Sequence, residues 1–177
     1  MQGKMESRKK EIKNLNIMIR PYKKEDFRSI KELAFSSFKG KKDAIWSVED
    51  LLTAKKTFVA DLNGEIVGVL ELDYIILENE KHAQIGYIFT NPDFWGQGIG
   101  RKMVEYVEKY LRNEKIKSIW AVVEKNNERS KRLFINHGYK EVSIKDLEKE
   151  LKRKDIKRIL TALDYNLGDI LLRKILD

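Results

Sequence analysis

The sequence predicts a mixed-sheet α/β domain. Three observations predict it. Runs that alternate every second residue take turns with runs of 3.6-residue periodicity. An Asn63-Gly64 pair stands between two β-like runs and marks an antiparallel hairpin. No repeat or linker divides the 177 residues, a length suited to one domain.

Residues 1–14 are mostly charged and predict a flexible N-terminal segment. They contain no apolar run, so no leader or membrane span is predicted and a cytoplasmic protein is expected. Asn16–Arg20 alternates as a first strand and stops at Pro21. Asp26 can cap or charge-stabilise a helix whose buried stripe is Phe27, Ile30, Leu33, Ala34 and Phe38. Lys39-Gly40-Lys41-Lys42 breaks that helix. Ser47, with Asp50 three residues on, resembles a capping box and is expected to start a short second helix. Trp46 just before it is either a hydrophobic staple or an aromatic facing a substrate.

Thr57–Leu62 and Glu65–Ile75 flank the Asn-Gly turn as strands. After a polar turn at Glu78–Lys81, the apolar positions Ala83, Ile85, Tyr87 and Phe89 predict another. His82 is read as lying on a polar strand edge. A long helix follows, with Ile99, Met103, Tyr106, Val107, Tyr110 and Leu111 on one face. Ser118–Val123 is a β run. The next helix starts near Asn126 and ends at Gly138, a good C-terminal cap; His137 before it reads as structural. Tyr139–Ile144 is expected to be a strand.

In Asp146–Leu163, Leu147 and Leu151 share one face, while Ile156, Ile159, Leu160 and Leu163 share a nearly opposite one. One straight helix cannot bury both sets. Two helices broken near Lys154 are predicted, with Asp155 capping the second. Leu167–Leu176 is the last strand, so this helical pair is an insertion before it.

Composition narrows the chemistry. No cysteine excludes disulfides and thiolate nucleophiles, and two separated histidines do not predict a metal site. The net charge of +8 arises from interspersed Lys and Glu, a pattern also found in proteins of hot environments, and the excess would attract an anionic ligand.

The chemically distinctive stretch is Thr90-Asn-Pro-Asp-Phe-Trp-Gly-Gln-Gly-Ile-Gly-Arg101, which links a strand to a helix. Free N–H groups at a helix N-terminus, bordered by glycines, make a phosphate cradle. Gly96 and Gly100 enclose too few residues for a P-loop, and the even spacing of Gly96, Gly98 and Gly100 does not fit the dinucleotide fingerprint.

This stretch resembles the acetyl-CoA signature of the GCN5-related N-acetyltransferases, Arg/Gln-x-x-Gly-x-Gly/Ala. Asn127-Glu-Arg-Ser-Lys-Arg-Leu-Phe-Ile-Asn-His-Gly-Tyr139 is similar to a second motif of that family. Trp46-Ser47 also looks like the ribosomal-protein N-terminal acetyltransferases within it. The resemblance implies that residues 15–177 form an N-acetyltransferase domain, with a mixed, mostly antiparallel central sheet flanked by helices and splayed between the fourth and fifth strands to receive coenzyme A. It further implies acetyl transfer from acetyl-CoA to a primary amine, either a peptide N-terminus or a small amine, without a metal.

By this resemblance the backbone of Ile88, Phe89 and Thr90 pairs with the pantetheine arm. Gly96, Gln97, Gly98, Ile99, Gly100 and Arg101 surround the pyrophosphate, and Asn127 holds the cofactor from the second motif. Three departures stand out. Trp95 replaces the usual Arg or Gln, Gln84 stands where Glu is frequent, and Phe134 replaces the tyrosine that acts as general acid. Tyr139 or water is left to protonate the thiolate. Glu124, two residues past the position of a base in the ribosomal-protein enzymes, is the candidate base, with a surface carboxylate as its competing reading. Phe134 also leaves open a non-catalytic coenzyme A sensor. The basic helices of 146–163 leave open a nucleic-acid-binding module, the less favoured reading.

Overall fold

The strand that opens the structure, β1 (Ile17–Pro21), ends at proline, and a 3-10 turn (Lys24–Asp26) leads into α1 (Phe27–Ser37). There follow α2 (Lys41–Thr53), β2 (Lys56–Leu62), β3 (Glu65–Leu77), β4 (Glu80–Thr90) and α3 (Ile99–Asn113). The chain continues through β5 (Ser118–Val123), α4 (Glu128–Asn136), β6 (Lys140–Glu141), α5 (Ile144–Glu150), α6 (Arg153–Ala162) and β7 (Ile170–Ile175). This is a computed structural model describing residues 16–38, 40–78 and 80–176; the expected flexible segment 1–14 lies outside them.

The strands form one sheet in the order β1-β2-β3-β4-β5-β7-β6. β1 with β2, β5 with β7 and β6 with β7 are antiparallel, while β4 with β5 is parallel. Fold class and helical insertion are as the sequence predicts. The parallel ladder joins Ala83–Ile85 to Ile119–Ala121 and stops there, although β4 runs on to Thr90 and β5 to Val123. A strand that continues past its ladder has backbone groups left for another partner.

The residues gather into two compact units, one of the described residues up to Leu70 with Ile88–Met103, the other of Glu71–Tyr87 with Val104 onward. In the first, Arg20 ties three segments together. It grips both oxygens of Asp26 at 2.7 and 2.8 Å and reaches Asp61 at 2.8 Å, and Asp61 accepts the Gly64 N–H of the hairpin turn at 2.7 Å. Asp26 therefore holds Arg20 and the Lys23 N–H and makes no side-chain cap to α1. Gly68 lets β3 approach the start of α3 closely. A Cβ there would lie 2.9 Å from Met103 Sδ and 3.1 Å from Ile99 Cγ2.

In the second unit, Ile75, Leu77, Trp120, Leu147, Ile156, Ile159, Leu163 and Leu171 form one buried cluster. The break between α5 and α6 turns the two apolar stripes onto this shared core, which explains why the stripes are out of phase in the sequence. The break falls at Leu151–Lys152 rather than Lys154. Lys152 is the N-cap residue, and Asp155 sits inside the first turn of α6.

Several expectations are corrected. Ser47 does not start α2; it lies in mid-helix, buried, with its Oγ donating to the Ala44 carbonyl at 3.0 Å. Satisfying a buried hydroxyl on the preceding turn competes with its use as a cap. Trp46 is thus half-exposed on a helix that began five residues earlier, so it is no staple. The strand expected over 139–144 shrinks to Lys140–Glu141, because Ser143 accepts the Asp146 N–H at 3.1 Å and starts α5. Leu167 is 99% exposed in the turn before β7. His82 is buried, its Nδ1 2.8 Å from Ser118 Oγ, and burial lowers its pKa.

Glu114 terminates α3 with a polar lock. It accepts Tyr110 Oη at 2.5 Å, Tyr74 Oη at 2.6 Å and Lys81 Nζ at 3.1 Å. These donors, the tyrosines foremost, bring its pKa from 4.5 down to about 2. A carboxyl depressed on folding stabilises the native state above its unfolded pKa, and that contribution fades as pH falls through the folded value. The melting temperature of the wild type should exceed that of Glu114→Gln at pH 6. The gap should close between pH 4.5 and about 2; a pH-independent gap in thermal melts would refute the linkage.

Candidate functional site

The glycine-rich stretch is built by a chain of local constraints within the first unit. Asn91 leaves β4 by donating its N–H to the Val67 carbonyl at 2.9 Å, and its side chain accepts the Asp93 N–H at 3.0 Å. That starts a 3-10 turn over Pro92–Phe94, with proline suited to a first-turn position. Gln97 N–H returns to the Phe94 carbonyl at 3.3 Å. Gly96 and Gly98 adopt φ of +81° and +77°, where side chains are strained, and an added Cβ at either meets nothing within 4 Å.

Helix α3 then begins. Its first backbone bond runs from Lys102 N–H to the Gly98 carbonyl at 3.0 Å. Ahead of it, the N–H groups of Gly98, Ile99 and Gly100 find no acceptor among the described residues. Ile99 is buried and anchors the turn, Gln97 and Gly100 are half-buried, and Arg101 is exposed. Donors at the positive end of a helix, facing space that no Cβ occupies, suit an anion. They fit the diphosphate of coenzyme A.

Trp95 has a role that the sequence does not reveal. Its indole Nε1 donates to the Thr90 carbonyl at 3.0 Å, and Ser37 Oγ donates to the same oxygen at 3.1 Å. The residue that replaces the family's Arg or Gln thus pins the loop to the end of β4. Ser37, 53 residues from Thr90, carries no local signal that would have disclosed this. Beside it Phe89 is buried against Phe38, ring centroids 5.2 Å apart, with Ile88 and Thr90 half-buried.

Ile88, Phe89, Thr90 and Gly96 to Arg101 are therefore brought together as one strand, loop and helix start. Glu124 and Asn127 belong to the other unit. Glu124 is exposed and lies one residue past the end of β5, where its carbonyl accepts the Asn127 N–H at 2.9 Å. The expected strand parity stops short of it. Asn127 is the N-cap of α4, accepting the Ser130 N–H at 3.1 Å through Oδ1, so its Nδ2 remains as a donor. Gln84 donates to the Ala162 carbonyl at 2.9 Å. Glu71, only 2% exposed on β3, is a buried carboxylate hidden from sequence reading inside an apolar run.

Phe134 is buried and packs edge-on to Tyr139 with centroids 5.0 Å apart. The Tyr139 hydroxyl is buried and finds no hydrogen-bond partner among the described residues. Burial, then the nearby Glu108 charge, raises its pKa well above the ordinary phenol value. The Tyr139 ring is part of the buried core. Tyr139→Phe should leave the melting temperature unchanged or raise stability by about 1 kcal/mol, because it removes an unpaired buried polar atom. Turnover should be retained; a selective loss of kcat in the folded variant would make Tyr139 the acid after all. His137 Nδ1 lies 2.7 Å from the Leu133 carbonyl, consistent with a structural residue. Among the described residues no three His, Asp or Glu side chains are grouped to hold a metal, and no helix is long and apolar enough to cross a membrane.

Comparison with known proteins agrees with this geometry. Residues 20–139 match the model of the acetyltransferase (GNAT) family. An uncharacterized N-acetyltransferase of Archaeoglobus fulgidus is 31% identical over 137 residues, covering 73% of this chain and 89% of that one. The PaiA N-acetyltransferase of Thermoplasma acidophilum, solved with coenzyme A, superposes with a TM-score of 0.68 at 18% identity, over 92% of this chain and all of that one. The ribosomal-protein-S18-alanine N-acetyltransferase of Escherichia coli gives 0.66 at 16% identity, over 90% and 93% of the two chains. With the glycine turn, the second motif and the matched sheet in agreement, the chain belongs to the GNAT acetyltransferase family.

Proposed function

We propose that this protein transfers the acetyl group of acetyl-CoA to a primary amine, either a protein N-terminus or a small amine. The observation that carries this reading is the trio of unbonded N–H groups at Gly98, Ile99 and Gly100 over an open glycine turn. In this proposal the backbone from Gly96 to Arg101 holds the diphosphate, and that of Ile88, Phe89 and Thr90 pairs with the pantetheine arm. The Arg101 guanidinium adds charge from the exposed face of α3. Asn127 takes its cofactor-holding role from the resemblance. Acetyl-CoA supplies the acyl group already activated as a thioester, so the protein needs no covalent nucleophile.

What remains for the side chains is proton handling. Glu124 is proposed as the base, supported by an exposed carboxylate that forms no ion pair among the described residues. An α-amine, with a pKa near ~8, needs less help than a lysine near ~10.4. An acceptor of the first kind suits a site whose tyrosine is replaced by Phe134, with water protonating the departing thiolate. Thermal melts with acetyl-CoA, paired with thiol release on a panel of peptides, amino acids and polyamines, test the reading. Saturating acetyl-CoA should stabilise the protein by about 2.7 kcal/mol at 100 times Kd, and at least one amine should release thiol. Stabilisation without turnover on any amine would make the protein a coenzyme A sensor; no stabilisation would remove the reading altogether.

A further inference from the structure

The helical insertion carries a surface formed by none of the residues assigned above to the cofactor or to proton handling. A groove of about 860 Å³ runs along α6, with Ile144 of α5, Leu160 and the half-buried Tyr165 as its apolar floor. Arg153, Lys154 and Lys157 line the same groove, all exposed. Three other cations in and between these helices have partners. Lys149 meets Asp146 at 2.8 Å, Lys152 meets Glu78, and Arg158 donates to the Ile76 carbonyl at 2.8 Å. Arg153 and Lys157 have none among the described residues, and Lys154 lies close enough to the Lys152–Glu78 pair to act on Glu78 through its charge without a direct bond. Arg153 and Lys154 stand in the first turn of α6, where the helix dipole disfavours positive charge. Cations without a direct ion pair, held beside an apolar floor, suit an anionic, partly apolar complement.

We propose that this groove docks an acidic amphipathic segment of another protein, its apolar side chains on Ile144, Leu160 and Tyr165 and its carboxylates on Arg153, Lys154 and Lys157. The ten residues of α6 extend about 15 Å, enough for a helical partner of two to three turns. Polarity along the groove sets the orientation: the cations occupy the start of α6, and Asp164 lies just past its end. The acidic end of the partner therefore lies over Arg153. Nucleic acid fits less well. One tyrosine offers no series of stacking platforms for bases, and the groove is only about as long as α6. The proposal is independent of the acetyl-transfer reading, since it involves none of the residues assigned to the cofactor.

The test is selection from a random peptide library, about sixteen residues per member, on the full chain, with binding of the enriched peptides then measured by fluorescence anisotropy. The expected winners carry Asp or Glu together with apolar residues at helical spacing. They should bind at least ~10-fold more weakly to a variant with Arg153→Glu, Lys154→Glu and Lys157→Glu, and to Ile144→Ser, each checked for an unchanged melting temperature. All four positions are exposed, so the variants should fold. No enrichment, or peptides that bind both variants as tightly as the wild type, would overturn the proposal. So would an oligo-dT strand whose binding is lost on the charge reversal while the peptides fail, which would assign the face to nucleic acid.

Discussion

Gly98→Val raises the dissociation constant for acetyl-CoA by roughly 100-fold or more. Two effects act together. A β-branched side chain at φ +77° is strained by ~1–3 kcal/mol, so the turn reorganises or resists folding. Where the turn does persist, the valine fills the space that the native loop leaves open. Losing two charge-assisted N–H bonds to a phosphate, at ~1.5–3 kcal/mol each, corresponds to about two to four decades of affinity. Gly98→Ala, strained less, should fall between. Isothermal titration gives the affinities, and circular dichroism confirms the fold. A correctly folded valine variant that binds acetyl-CoA as tightly as the wild type would end the case for this loop as the carrier site.

Lys174→Met lowers stability by ~3–5 kcal/mol, the cost of stranding one member of a buried ion pair, or about 10 °C in melting temperature for a chain this size. The lysine of β7 meets Glu108 Oε2 of α3 at 2.6 Å, with side-chain exposures of 18% and 7%. The other Glu108 oxygen is buried without a hydrogen-bond partner among the described residues, so losing the lysine leaves the carboxylate without its cation. Lys174 Nζ also lies 5.7 Å from the centre of the Tyr139 ring. Adding Glu108→Gln should recover much of the loss, since a neutral amide is cheaper to bury than a lone charge. Equal melting temperatures for wild type and Lys174→Met would show that the pair contributes nothing.

Features that depend on neighbours in the chain were legible from residue order. The Asn63-Gly64 hairpin, the stripe of the long helix and the strand–glycine–helix turn follow from periods of 2 and 3.6 and from backbone freedom at glycine. The out-of-phase stripes of Leu147 and of Ile156, Ile159 and Leu163 predicted a break. Its position moved because the chain leaves α5 at Leu151, not because the stripe was misread. Ser47 misled because a serine has two local uses, capping a helix or bonding back to the previous turn, and burial selects between them.

By itself the sequence determined the α/β class, the glycine-rich turn between strand and helix, and membership of the acetyltransferase family. All three are written in local spacing and in motifs. Tertiary structure alone decided that Trp95 and Ser37 share the Thr90 carbonyl, that Lys174 neutralises Glu108, and that Tyr139 is core. The reason is physical. A backbone turn is satisfied by residues a few positions away, whereas a buried side-chain donor takes whichever acceptor the packed fold brings to it, here 53 and 66 residues distant for Ser37 and Lys174.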